Sequence, residues 1–172
     1  MKKFFNWVIV LTACAGLVYC VGLIVPRSLT LGCKTNMATK PDRLYAVVSD
    51  VSTWSEWHPD VRSAQERPKH GDNPVWRITE SSGASYDLEV NSAEEAAVFQ
   101  VTYTIDDSRY TLRFGFSWFG QGGRMLVKRT VDTRDPWMRA KSFLWSRNET
   151  APLGLVNALA EHLGEVVKVD ED

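Results

Sequence analysis

Two charged residues stand where a strand pattern asks for apolar ones. Glu80 continues the side occupied by Trp76 and Ile78, and Arg129 falls between Val127 and Val131. An unpaired charge does not stay buried. Two readings therefore stand: a bulge or strand end turns each residue outward, or both meet polar partners inside a cavity. In the second reading Glu80 and Arg129 are the first polar contacts for a ligand head group, or a general acid/base pair. Tyr86, Tyr103 and Tyr110 would add hydroxyls to the same space.

The rest of the chain offers little other chemistry. The three histidines, His58, His70 and His162, lack metal-ligand spacing. His58 precedes Pro59 at a helix end and is expected as a cap or surface residue; His70 sits in a turn. His162 lies at the edge of an apolar stripe, where it packs at a boundary or borders a pocket. Cys14 and Cys20 fall in the apolar N-terminal run and Cys33 stands alone, so neither a disulfide framework nor a C-x-x-C site can be built. No Ser/His/Asp or Cys/His nucleophile system and no metal or cofactor motif is present.

The elements that position these residues follow from periodicity. Leu29, Leu31 and Cys33 alternate with Thr30, Gly32 and Lys34, a period-2 strand over Ser28 to Met37. Pro41 suits the first turn of a short helix carrying Leu44, Tyr45, Val47 and Val48. A second short helical piece runs through Trp54 and Trp57 to His58-Pro59. Six strands are then expected: Val61 to Arg67, Val75 to Ser81, Tyr86 to Ser92, Val98 to Ile105, Arg109 to Phe119 and Arg124 to Thr133. Turn signals such as Gly71-Asp72-Asn73-Pro74, Asp106-Asp107 and Gly120-Gln121-Gly122-Gly123 separate them.

Alternation marks one greasy face across these strands. Trp76 and Ile78 share it with Tyr86, Leu88 and Val90, then Phe99, Val101, Tyr103 and Ile105. Tyr110, Leu112, Phe114, Phe116 and Trp118 follow, with Met125, Val127 and Val131. An antiparallel meander apolar on one side must be covered. The cover is expected from the chain's end. A stretch from Trp137 to Trp145 reads as helical, and a helix over Pro152 to Val167 carries Leu155, Val156, Leu159, Leu163, Val166 and Val167 as its stripe. Val169 to Asp172 is a charged tail. Trp76, Phe99, Tyr103, Phe114, Phe116, Leu159, His162 and Leu163 are accordingly candidate pocket residues, with Glu80, Tyr86, Tyr110 and Arg129.

The first 26 residues form a separate unit. Phe4 to Val25 is uncharged, and a helix of that length spans about 33 Å, which matches a hydrocarbon core of about 30 Å. Ala13-Cys14-Ala15 and Leu11-Thr12-Ala13-Cys14 suggest a cleavage site or a lipoprotein box. The apolar run continues ten residues past Ala15, which favours an uncleaved single-pass anchor. Lys2 and Lys3, packed against the helix, favour an N-in orientation with the domain on the extracytoplasmic side of the cell membrane. Residues 27–172 then make one domain with 18 basic and 21 acidic residues, a net charge of −3. That balance, with no basic cluster, excludes nucleic acid as a partner.

A further signal is local. Val25-Pro26-Arg27-Ser28 ends the anchor, Lys40-Pro41 breaks the first strand, and Val47-Val48-Ser49-Asp50 leads into Trp54-Ser55-Glu56-Trp57-His58-Pro59. This run, with the order strand, two short helices, six strands and long C-terminal helix, resembles the START-like, or helix-grip (SRPBCC), superfamily, and its membrane-anchored polyketide cyclase/dehydrase-like members. The resemblance implies an α+β fold in which a curved antiparallel sheet grips the C-terminal helix. It also implies an apolar cavity between them for a small molecule or lipid. Three functions follow as expectations: a membrane-tethered binding module, an interaction domain with a filled core, or a cyclase/dehydrase-like enzyme.

Overall fold

Each strand of the chain exposes alternate side chains to opposite faces, and the sheet these strands build is apolar on one side. In a computed structural model, residues 2–94, 96–146, 151–166 and 168–169 are described; the side chains of residues 2–6, 8, 9, 11, 144–146, 151, 168 and 169 are not among them. The elements in order are α1 (Lys2–Ile24), β1 (Ser28–Met37), α2 (Pro41–Ser49), a 3₁₀ turn (Val51–Thr53), α3 (Trp54–Trp57) and β2 (Val61–His70). Then come β3 (Asn73–Glu80), β4 (Ser85–Glu94), β5 (Val98–Ile105), β6 (Ser108–Phe119), β7 (Gly122–Thr133), α4 (Pro136–Ser146), α5 (Ala151–His162) and β8 (Lys168–Val169).

The sheet is antiparallel in the order β2-β3-β4-β5-β6-β7-β1-β8. Successive strands from β2 to β7 pair as hairpins, and β1 returns to the open side of β7. The Asp106-Asp107 turn between β5 and β6 holds both residues at positive φ, 46° and 61°, as a tight two-residue hairpin requires. The predicted greasy face is buried: Ile78, Leu88, Phe99, Val101, Leu112, Phe114, Phe116, Met125 and Val127 all belong to the core. Trp118 departs from this expectation. The β6–β7 hairpin extends beyond the covering helices, leaving Trp118 59% and Phe119 47% exposed, with the Arg124 guanidinium 4.1 Å from the Phe119 ring centre.

Helices cover this face. Pro41 occupies the first turn of α2, which buries Leu44 and Val48. Trp54 and Trp57 of α3 are both buried. They fill one end of the concave side, where Trp54 meets Phe99 at 6.5 Å and Tyr45 meets Phe116 at 5.8 Å. From α5, Leu155, Val156, Leu159 and Ala160 close the side next to β1 and β7.

The C-terminal helix is shorter than expected. It ends at His162 because Gly164 takes φ +72°. The Gly164 N–H then donates to the Glu161 carbonyl and the Glu165 N–H to the Ala160 carbonyl. This paired pattern satisfies the last free carbonyls and stops the helix. Val166 consequently leaves the stripe and is 95% exposed, while Val167 lies outside the described residues. Val169, expected in the tail, pairs instead with Thr35 of β1, and Lys168 pairs with Asn36.

α1 runs 23 residues. Among the described residues no helix is long and apolar enough to cross a membrane. The described side chains of α1 run unbroken only from Thr12 to Ile24, and Phe4, Phe5, Val8, Ile9 and Leu11 of the expected anchor lie outside them. The last turns of α1 pack on α4, where the Arg139 guanidinium donates to the Val25 carbonyl at 3.2 Å.

Candidate functional site

The unresolved question about Glu80 and Arg129 is settled by strand register. β7 pairs continuously with β1 and with β6 from one end to the other, Leu31↔Arg129↔Leu112 included, with no bulge. Parity therefore holds, and Arg129 lies on the concave face. Glu80 is the last residue of β3: its N–H donates to the Ala84 carbonyl and its carbonyl accepts from the Gly83 N–H, opening the turn to β4. It is thus a strand-end residue whose side chain nevertheless lines the same cavity as Arg129.

That cavity has a volume of about 90 Å³ and lies between the sheet, α3 and α5. Its floor is Tyr86 and Leu88 of β4, Tyr103 of β5 and Leu112 of β6. Glu80 and Arg129 bring charge from β3 and β7, and Pro152 and Leu155 of α5 form the roof. Trp54, His58, Pro59 and Asp60, from the segment after α2, close the remaining side. Pro59 and Asp60 are exposed and mark the rim.

The polar groups inside are paired across the floor. Tyr86 hydrogen-bonds Glu80, and burial, then the neighbouring Tyr103, Glu80 and Asp60, push its hydroxyl up. Tyr103 hydrogen-bonds Arg129; burial raises its hydroxyl while the Arg129 charge opposes the rise. Both phenols are therefore kept protonated, as hydrogen-bonding rather than ionised groups. Tyr86, Tyr103 and Tyr110 stack in a row, with centroids 4.5 Å and 5.1 Å apart, and Arg129 lies 5.4 Å from the Tyr110 ring centre.

His58 is the residue that sequence reasoning missed. It was expected as a cap or surface residue; instead it is half-buried, lines the cavity and stacks on Trp54, centroids 5.4 Å apart and planes 13° apart. The Asp60 backbone N–H donates to its Nδ1 at 3.2 Å. Burial lowers its pKa to about 4, with the Asp60 charge opposing and the Arg129 charge assisting. The only sequence signal was its position after two tryptophans, which a surface cap shares.

The other candidates divide. Phe99, Phe114 and Phe116 are buried in the packed end of the core, and Leu159 is buried on the inner face of α5. Trp76, partly buried, and Leu163 pack against that core. None of these six lines the cavity. His162 faces solvent at the end of α5. His70 is exposed as expected, its Nδ1 3.5 Å from the Glu89 carboxylate. Burial lifts the Cys33 thiol to about 11, which keeps it unreactive. Among the described residues no group of His, Cys, Asp or Glu could hold a metal.

Comparison with solved structures places this geometry. The Zhui aromatase/cyclase from Streptomyces sp. R1128 superposes with a TM-score of 0.60 at 12% identity, over 81% of this chain and 99% of that one. A START superfamily protein from Mycobacterium smegmatis matches with a TM-score of 0.56 at 16% identity, over 78% and 97%. The fold is the START-like helix grip. The di-domain aromatase/cyclase BexL of the BE-7585A biosynthetic pathway matches with a TM-score of 0.61 at 15% identity, over 80% of this chain. This chain spans about half of that di-domain protein, 50% of its length. At such identities the helix grip alone is shared. No family model and no curated protein matches the sequence.

Proposed function

We propose that the helix-grip domain binds a small apolar molecule whose polar end sits among Glu80, Tyr86, Tyr103 and Arg129 beneath α5. One observation carries this reading: an unbulged β7 sends Arg129 inward, into the same cavity as Glu80, on a face otherwise filled with side chains. Arg129 is partly buried there with Tyr103 and Tyr110 beside it, and the polar end of a ligand would add a further partner for its charge inside the cavity. The volume, about 90 Å³, is below the roughly 300–1,000 Å³ of whole ligand sites. It fits a head group, with the apolar body lying toward the rim at Pro59 and Asp60.

The direct test is titration of the full chain in detergent with the fluorescent probe N-phenyl-1-naphthylamine. Saturable enhancement is expected, and it is lost in Leu112→Trp, which fills the floor. Equal enhancement in a folded Leu112→Trp variant contradicts the reading.

A second reading is favoured by the hydrogen bond between Glu80 and Tyr86, a carboxylate and a protonated phenol facing one cavity. That pair has the parts of an acid/base catalyst in a cyclase/dehydrase-like enzyme. Glu80→Gln would then reduce turnover by far more than it weakens probe binding.

The tether belongs to the same proposal. Within α1, Trp7, Val10, Leu17, Tyr19, Leu23 and Ile24 are each about half exposed or more. The run from Phe4 carries no charge. A helix apolar all round calls for an apolar solvent. In this reading residues 1–26 anchor the chain in the cell membrane and residues 27–172 stand on its extracytoplasmic side, where an apolar ligand is locally concentrated. Alkaline carbonate washing of membranes should leave the chain in the pellet; release into the supernatant contradicts anchoring.

A further inference from the structure

We infer that His58 is a neutral hydrogen-bond donor of the cavity, and that the ligand's head is an uncharged group carrying both an acceptor oxygen and a hydroxyl. The inference rests on the binding function proposed above and specifies its ligand chemistry. His58 follows α3 directly and lines the cavity with Arg129 and Glu80. Its Nδ1 already accepts the Asp60 N–H, so the single proton of the neutral ring resides on Nε2. Trp54, stacked on the ring, and Trp57, tilted against it at 5.7 Å, hold its plane. Burial keeps a second proton off.

The cavity thus has a donor side and an acceptor side. His58 and Arg129 donate, Glu80 accepts, and the Tyr86 and Tyr103 hydroxyls do either. The formal charges of Arg129 and Glu80 offset one another. An anionic head would share about 90 Å³ with the Glu80 carboxylate, and like charges that close in a partly dry site repel strongly. A plain hydrocarbon would leave the donors and the acceptor without new partners. A head with a carbonyl and a hydroxyl serves both sides at once.

The test is calorimetric titration of the detergent-solubilised full chain with three probes of similar size at neutral pH: 4-hydroxyacetophenone, acetophenone and 4-hydroxybenzoate. The first should bind at least about five-fold tighter than either of the others, the worth of one hydrogen bond. His58→Phe, which keeps a ring on Trp54, should remove most of that advantage. Independently of any variant, the imidazole ¹⁵N shifts of His58 in the 4-hydroxyacetophenone complex should be those of a neutral ring protonated at Nε2. The inference is overturned by 4-hydroxybenzoate binding as tightly, by unchanged affinity in folded His58→Phe, or by imidazolium shifts. Binding of some probe without the expected ranking sinks the inference alone; binding of none sinks the cavity-binding function as well.

Discussion

Glu165 holds Thr39 across the molecule. One carboxylate oxygen accepts the Thr39 N–H at 2.7 Å and the Thr39 hydroxyl, while the other accepts the Ala38 N–H at 2.7 Å. The end of α5 is thereby fastened to the turn between β1 and α2, and the roof of the cavity to its frame. Glu165→Ala leaves those donors without this acceptor. Hydrogen bonds to a charged group contribute about 1.5–3 kcal/mol each, and water replaces part of that at a half-buried site. A loss of about 2 kcal/mol is expected in urea denaturation, and a change below a few tenths would show the fastening to be incidental.

Trp54 and Trp57 should respond differently to the same substitution. The Trp54 indole N–H donates to the Val48 carbonyl at 2.9 Å in a buried setting. The Trp57 indole nitrogen is buried with no hydrogen-bond partner among the described residues. Trp54→Phe therefore orphans a buried carbonyl and loses packing, at about 2–3 kcal/mol. Trp57→Phe removes an unsatisfied donor along with its packing and should cost about 1 kcal/mol less. Paired thermal unfolding curves decide it; equal losses would contradict the difference in hydrogen bonding.

His58 imposes a pH dependence of known sign. Its pKa lies near 6.5 in the unfolded chain and is lowered to about 4 in the folded one. Between these values the unfolded state binds more protons. The stabilising contribution is thus complete above pH 6.5 and declines as pH falls toward 4, by up to about 3 kcal/mol. Carboxylates titrate in part of the same range, so the relevant quantity is the difference between wild type and His58→Phe. The variant should show a shallower fall; parallel stability curves would mean that the ring gains its proton freely in the fold.

Gly22 sets the approach of α1 to α4. A Cβ there would lie 1.7 Å from the Pro136 carbonyl oxygen, so any larger residue must push the two backbones apart. Gly22→Leu should raise amide hydrogen exchange across α4 several-fold while leaving β5 to β7 unchanged. Unaltered exchange in α4 would show that the contact does not hold the helix.

Much of this arrangement was legible in the sequence, because period-2 alternation is a local property. The bounds of β1 and the shared face of Ile78, Leu88, Val101, Leu112 and Val127 follow from it directly. The inward placement of Arg129 required one further fact, the absence of a bulge, which only pairing on both sides of β7 reveals. Which end of the concave face stays open is not local at all. It depends on Tyr45 and Trp54 covering Phe116 and Phe99, so the Phe candidates became core while Tyr86 and Tyr103 kept a cavity. His58 was hidden for the same reason, since a residue after a short helix is a cap or a wall depending on what lies opposite. Gly164 did carry a signal, a glycine two residues after His162, and the apolar Val166 and Val167 beyond it masked the stop.

Native mass spectrometry of the gently purified full chain addresses the cavity most directly, with Leu155→Trp, which lowers the roof into it, as the comparison. The account predicts that wild type carries a co-purified apolar molecule and that the folded variant does not. A wild-type chain that is consistently bare, or an identical adduct on Leu155→Trp, would contradict a binding site beneath α5.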